Sequence, residues 1–500
     1  MTDPTVRQKV LTAQNAVVQE RETEPGEFIL EAGPFTDYRR RVVLEGTTAH
    51  EIIEYRLAIP YFRVVFAPLV RRYLKRHPSD RDRFPGWAPP TRLDARASTV
   101  LGVLAAISLI VGYVNTLLTQ TITFAADEFG SSERAQGIAG TVVRAGIVLT
   151  LGVAGMIDRR GRRYVIVLTA LVAPIIAALG ALAPSLPWLT ATQLVARPMA
   201  LVLGVTITVA AAEEMPRQAR AYALGLLTMS IGLGAGVCVI VLRVSDLGEQ
   251  AWRLVYVAPL LFVPLVLRAA RKLPETARFE THHRRDHQPI EWRRYLPRFV
   301  LLAASGLLIN LLVAPASFFQ NRFLDNERGY SATAISNFTL FTTTPAGLGV
   351  LIGGRIAERR GRRGVALAAL AANTLGTAAF FFAKGWGMWA WSLLAAVIGG
   401  AMAPSLGVYG AELFPTAVRG RLNNAISIVS LTGSSAGLLF AGWWISAGHS
   451  YGMVMALLSL GPLVVMALVA FVYPETAGEE LEDLNPEDRD PATSAPSPML

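Results

Sequence analysis

Arg144 and Arg197 stand inside long apolar stretches that hold no Asp or Glu near mid-depth to pair with them. A guanidinium carried into a bilayer is costly unless something meets its charge, and its planar fork fits a carboxylate or a phosphate. The chemistry these residues point to is recognition of an anion, not bond making. Two other outcomes fit the same residues: Asp127 or Glu128 reaches down to pair with them, or both arginines snorkel to the outer interface. Polar side chains join them. Tyr113, Thr116, Gln120 and Thr123 are spaced 3, 4 and 3 apart, and Asn310, Ser317 and Asn321 are 7 and 4 apart, so each set lies on one face of a helix. With Asn115 they form a candidate substrate path of Tyr113, Asn115, Gln120, Arg144, Arg197, Asn310, Ser317 and Asn321; interhelical hydrogen bonding is the plainer role for such stripes. No acid lies at mid-depth to carry a proton, which leaves Asp127 and Glu128 as candidates for a relay.

A second constellation is made of charge. Asp158-Arg159-Arg160-Gly161-Arg162-Arg163 returns 200 positions later as Glu358-Arg359-Arg360-Gly361-Arg362-Arg363, each copy directly after an apolar run. Pro274-Glu275-Thr276 returns as Pro474-Glu475-Thr476, and Glu213-x-x-Pro216-x-x-x-Arg220 as Glu412-x-x-Pro415-x-x-x-Arg419. An acid at a helix C-terminus meets the wrong end of the macrodipole, so it is expected to face a neighbouring helix N-terminus or a local arginine. The prediction is a two-part charge network: Asp158, Arg162, Arg163, Glu213, Arg220 and Glu275, then Glu358, Arg362, Arg363, Glu412, Arg419 and Glu475. Exposed pairs contribute only ~0 to 1 kcal/mol each, yet a few kcal/mol is enough to move a two-state carrier from one majority state to the other.

The elements that must position these groups are membrane helices. Hydrophobic residues make up 52% of the 500 and charged residues 17%, with mean hydropathy +0.40. From Ser98 to Tyr473 the chain falls into apolar stretches near the ~20 residues a spanning helix needs. Twelve spans are expected: Thr99 to Phe124, Gln136 to Ile157, Tyr164 to Ala183, Trp188 to Ala211, Ala219 to Val241 and Leu254 to Ala270; then Phe299 to Asn321, Ile335 to Ile356, Gly364 to Phe382, Met388 to Ala411, Asn424 to Ile445 and Tyr451 to Val472. Six plus six matches the duplication. The expected fold is an all-α membrane protein of two six-helix bundles, 98–270 and 299–473, joined by a linker, 271–298.

Arg268 to Arg298 holds nine Lys/Arg against four Asp/Glu, so this side, with the charged turns, is expected to be cytoplasmic in the inner membrane, as are both termini. Residues 1–97 carry sixteen basic and thirteen acidic side chains and form a cytoplasmic extension. Within it, Ile59 to Arg76 mixes aromatics, aliphatics and five basic residues, suiting either a helix on an anionic leaflet or a helix packed on a small soluble domain with Phe28 to Leu44 as hairpin-like strands. The acidic tail 474–500 is expected to be partly disordered. His282, His283 and His287 cluster beside Arg284 and Arg285, which would repel a cation, so no metal and no cofactor is expected. The single Cys238 can form no intramolecular disulfide. No phosphate-cradling Gly-x-x-x-x-Gly-Lys is present, and topology already explains a pI near 9.9, so neither ATP hydrolysis nor nucleic-acid binding is indicated.

Asp158-Arg-x-Gly-Arg-Arg resembles the signature loop of the major facilitator superfamily, and Glu412-Leu-Phe-Pro-Thr-Ala-Val-Arg-Gly resembles its sugar-porter and related metabolite-carrier branches. Pro274-Glu-Thr-Ala-Arg-Phe and Pro474-Glu-Thr-Ala-Gly-Glu-Glu-Leu-Glu-Asp resemble the segments that follow the sixth and twelfth spans of sugar porters. The likeness covers Ser98 to Leu484 and has no counterpart for residues 1–97. It implies that the charge network closes the cytoplasmic side in the outward-facing state and breaks as the bundles rock apart. The departures matter too. Gly112-Tyr113-Val114-Asn115 lacks the acid of the Gly-Tyr-Asp found in proton-coupled sugar symporters, and Arg197 matches the sugar-porter arginine whose usual partner is that missing acid. Ala154 replaces a signature glycine that Gly354 keeps, Ser305-Gly306-Leu-Leu-Ile-Asn310 only approximates the seventh-span motif, and Ser230 to Gly236 lacks the proline of drug/proton antiporters.

The expected function is secondary, ATP-independent transport of a small polar solute, an organic anion or sugar-like metabolite, by alternating access; its partners are the bilayer, the solute and, through residues 59–76, anionic lipid. The alternatives are a drug or multisubstrate efflux carrier and a non-transporting receptor or interaction protein with a transporter fold. No nucleophile-base pair or cofactor loop points to an enzyme.

Overall fold

The computed structural model describes residues 9–45, 48–77, 80–147, 149–150, 161–271, 273 and 292–477. Among them, eleven helices are long and apolar enough to cross a membrane. The other expected span, Gln136 to Ile157, is helical over Glu133–Ala145, and residues 151–157 lie outside the described set.

The first half runs α2 (Ala95–Glu128), α3 (Glu133–Ala145), α4 (Arg162–Ala178), α5 (Leu186–Glu214), α6 (Arg220–Val241) and the broken α7–α8 (Arg253–Val257, Val263–Ala270). The second runs α9 (Trp292–Asn326), α10–α11 (Ala332–Thr343, Ala346–Arg360), α12 (Arg362–Phe382), α13–α15 (Trp386–Gly399, Met402–Leu406, Tyr409–Glu412), α16 (Thr416–Ser446) and α17–α18 (Tyr451–Leu458, Leu460–Phe471). Helix α2 starts at an Asp94 cap that accepts from the Ala97 N–H at 2.7 Å. At 34 residues it spans ~50 Å, well beyond a ~30 Å hydrocarbon core.

Missing side chains hold each half together. Gly112 and Gly234 place α2 and α6 backbone to backbone, where a Cβ on either would strike the carbonyl of Ile231 or Leu109. Gly433 and Gly437 do the same for α16 against Leu307 and Leu311 of α9. The two pairs are equivalent under the duplication, the close approach expected of small residues in lipid.

The all-α expectation fails in the first 97 residues, where β1 (Gln19–Glu24), β2 (Glu27–Ala32), β3 (Phe35–Glu45) and β4 (Thr48–Leu57) form an antiparallel sheet in the order β1-β2-β3-β4. In β3, Tyr38, Arg40 and Val42 point inward while Asp37, Arg39 and Arg41 point out; that period of two gives the strand one buried face. Helix α1 (Arg63–Leu74) seats Val70, Tyr73 and Leu74 against Phe35, Tyr38 and Leu57. Its opposite face is 85% exposed at Val64 and 58% at Val65, beside exposed Arg63, Arg71 and Arg72. Of the two sequence readings of this segment, the helix packed on a small domain is the one found, and its other side is exposed, apolar and basic.

The sheet layer has an ionic centre. Arg40 donates to both Glu20 oxygens, to Glu51 and to the carbonyls of Val10 and Thr12. Tyr38 donates to Glu20 at 2.7 Å, and Arg81 forks onto Glu51 at 2.7 Å on each oxygen. A buried pair survives when every proton and lone pair is met in this way. Among the described residues the layer docks on the first half: Thr99 donates to the Ala58 carbonyl at 2.8 Å and Tyr222 to that of Trp87 at 3.0 Å.

Candidate functional site

The repeated charges recur as repeated contacts. Arg162 pairs with Glu213 at 3.1 Å, and Arg362 pairs with Glu412 in the second half. Arg220 donates to the Met215 carbonyl and Arg419 to the Phe414 carbonyl, five residues back in each case. Arg163 reaches the Ala270 carbonyl; Arg363 reaches those of Val469 and Ala470. Gly161 and Gly361 make the reversals with φ of 88° and 98°, a region open to glycine. Glu475 accepts from the N–H groups of Arg362 and Arg363 at 2.8 and 3.1 Å, meeting the positive end of α12. Burial pulls its carboxyl up, but these and neighbouring N–H groups outweigh that and hold it below its ordinary value. Glu358 stays exposed and joins none of these contacts. Asp158 and Glu275, like the three clustered histidines, lie outside the described residues. Each of these ion pairs and carbonyl contacts runs within one half.

Contacts between the halves gather on the opposite, or far, face. Arg322 at the end of α9 pairs with Asp127 and with Glu133, the latter at 3.4 Å. Asn321 donates to the carbonyl and side-chain oxygens of Gln120 at 3.0 and 3.1 Å. Asp246 caps α10 by accepting from Ala332 and Thr333, and Arg243 donates to Ser336 and Asn337. Deeper in, α3 lies on α16: a Cβ on Gly137 would come within 2.6 Å of the Leu438 carbonyl, and Thr141 donates to that of Ser435 at 3.3 Å. The protein is thus held shut on the far face.

Of the two arginines, Arg144 lies at this seam. Arg144 ends α3 with its guanidinium 5.8 Å from the centre of the Phe318 ring in the other half, and donates only a long 3.4 Å bond to Gly140. Arg197 stands on α5, and its Nη1 is buried without a partner among the described residues. Neither Asp127 nor Glu128 reaches them: Asp127 is held by Arg322, and Glu128 accepts from Arg253 and from the Trp252 ring nitrogen, both at 2.6 Å. Both arginines are half-buried. The polar residues divide. Asn115 is half-buried with its side-chain oxygen unmet, and Asn310 accepts from Ser434 at 3.2 Å. Tyr113 is fully buried, donating to the Val255 carbonyl at 2.8 Å, and Ser317 donates to Ala314 within its own helix. The far-face arginines and acids other than Asp127 and Glu128 escaped the sequence reading; the one signal was Arg322 directly after the polar stripe ending at Asn321.

Two helical halves related by duplication meet on one face, and on the other the ion pairs described here join helices of the same half. The Major Facilitator Superfamily profile matches residues 104–336 and 315–497, and the chain belongs to that family; it is a membrane transporter and not an enzyme. No curated protein sequence matches it. Its fold is similar to that of a bacterial homologue of the human lysosomal transporter Spinster in an inward-facing, occupied conformation, at 17% identity and TM-score 0.62, covering 79% of this chain and 99% of that one. It is also similar to the inward-open xylose transporter XylE from E. coli, at 16% identity and TM-score 0.61 over 78% and 99%, and to the nucleoside transporter NupG, at 12% identity and TM-score 0.61 over 75% and 100%. The family match begins at 104, after the sheet layer.

Proposed function

We propose that this secondary transporter carries a small organic anion, with Arg144 and Arg197 as its binding fork. The observation behind this reading is a set of uncompensated cations: Arg144 at the contact between the halves with one long bond, Arg197 with a buried N–H that finds no acceptor, and no carboxylate against either among the described residues. A carboxylate or phosphate arriving between them meets both. The unmet Asn115 and the Asn310–Ser434 pair offer further polar contacts on the two sides. The turn-bearing face is cytoplasmic in this reading, because the basic excess lies there, and the conformation is inward-facing. Opening the far face requires release of Asp127 from Arg322, which makes Asp127, with Glu128 behind it, the place where a proton would couple to the cycle.

The test is counterflow in proteoliposomes across carboxylates, phosphates and sugars. Arg197→Gln and Arg144→Gln should each lower anion uptake by about tenfold to a hundredfold, the loss expected for a charge-assisted contact of ~1.5–3 kcal/mol. Unchanged anion uptake in both variants sinks the anion assignment. Uptake of sugars alone moves the site to the amide residues, and the absence of transport for every solute favours a receptor.

A further inference from the structure

A second cavity lies outside the passage, between the sheet layer and the helices it docks on. Its walls are Ile59, Phe62, Phe66 and Trp87 from the layer and Leu101 and Leu226 from α2 and α6. It is narrow, with about 60 Å³ of free inner volume and about 640 Å³ counting its open mouth, a shape for a flexible chain and not for a ring system. Ser98 is among its lining residues, 4% exposed, with a buried hydroxyl that has no partner among the described residues. Phe84 forms part of this slot and also part of a wide, open cleft lined by Arg76, His77, Asp80 and Arg83. Arg76 and Arg83 are exposed there, so an apolar slot and a basic cleft share one wall.

We propose that the slot and cleft together bind one glycerophospholipid, an acyl chain between α2, α6 and the layer and the phosphate at Arg76 and Arg83. Three features choose a bilayer lipid over a soluble amphiphile. Ser98, Leu101, Tyr222 and Leu226 belong to the first turns of spanning helices, so the slot opens at the depth where lipid glycerol lies. Val64 and Val65, exposed beside Arg63, Arg71 and Arg72, give α1 the apolar and basic face of a membrane-surface helix. Phe84, shared by the slot and the basic cleft, joins the acyl and phosphate ends of the site. Asp80 in the same cleft is placed to meet an ammonium if the headgroup carries one. The bound lipid would cement the layer to the first half, independently of which solute the carrier moves.

The experiment uses the full chain, delipidated in detergent, with dioleoylphosphatidylglycerol added back and retention read by native mass spectrometry. The wild type should hold one lipid that survives activation. Leu226→Trp, which fills the slot, should reduce its occupancy at least tenfold, and Arg76→Gln with Arg83→Gln, both exposed and harmless to folding, should weaken it severalfold. Equal retention in the wild type, the filled slot and the double glutamine variant overturns the proposal. Dioleoylglycerol held as tightly as the phospholipid overturns the phosphate assignment. Inorganic phosphate that raises the melting temperature as much as the lipid does, in the wild type and in Leu226→Trp alike, identifies the cleft as a soluble-phosphate site and overturns the lipid.

Discussion

Replacing Arg322 with Gln should open the far face. Among the described residues, Arg322 is the one side chain there that holds two acids of the other half, with 11% of its side chain exposed against 45% for Asp127 and 20% for Glu133. Such partly solvated pairs contribute about 0.5–1 kcal/mol each, so losing both weakens the closed face by ~1–2 kcal/mol, a factor of roughly 5–30 in population. A far-open state held near ~1% would rise to about 5–25%. Thr141→Cys reports on it, because that side chain lies between the halves against the Ser435 carbonyl, and the native Cys238 is buried. Alkylation by an impermeant maleimide from the far side should speed up about tenfold in Arg322→Gln, and by about the square root of that in Asp127→Asn, which loses one of the two pairs. A rate within twofold of the parent, in protein that still purifies as a monodisperse species, would refute the idea that these pairs hold the face shut.

Gly137→Ala should act in the same direction, since its methyl would meet the Leu438 carbonyl and wedge α3 from α16; the same alkylation assay reads it. Gly234→Ala should cost about 1–3 kcal/mol through overpacking against Leu109, whereas Gly236→Ala, which faces open space, should leave thermal unfolding unchanged. Glu20→Gln should destabilise the sheet layer by ~3–5 kcal/mol, because Arg40 is left charged and buried; faster proteolysis between the strands, with the spans intact, is the expected readout. The carboxyl of Glu475 is held below its ordinary 4.5, so its contribution is complete above that value and disappears as pH falls through the lower folded value. Melting temperature should therefore drop in acid more steeply for the parent than for Glu475→Gln, and parallel curves would remove Glu475 from the account.

Much of the helical architecture was legible because lipid forces it: long apolar runs and a motif spaced 200 residues apart became spans and matching ion pairs. The sheet layer was half legible. Phe28 to Leu44 reads as strand-like, but β4 carries Glu54 and Arg56 on its outward face and Glu51 on its inward one, and that charge hides a ladder that pairs it with β3 along its whole length. The seam was the least legible. Arg322 meets acids 195 and 189 positions away, and Tyr113 satisfies itself on a backbone carbonyl 142 positions away; neither choice leaves a trace in local spacing. Arg144 and Arg197 were visible as isolated charges, but only packing shows that Asp127 and Glu128 are engaged elsewhere.

Distances across both faces, measured by pulsed electron resonance in liposomes, test the alternation itself. One spin pair at Glu249 and Lys384 reports on the far face and another at Arg268 and Arg359 on the turn-bearing face, all four being exposed. With Arg322→Gln or transported solute, a second population should emerge in which the first distance is longer and the second shorter. Both distances fixed under every condition, or both changing in the same direction, would contradict two halves that tilt about a central anion site.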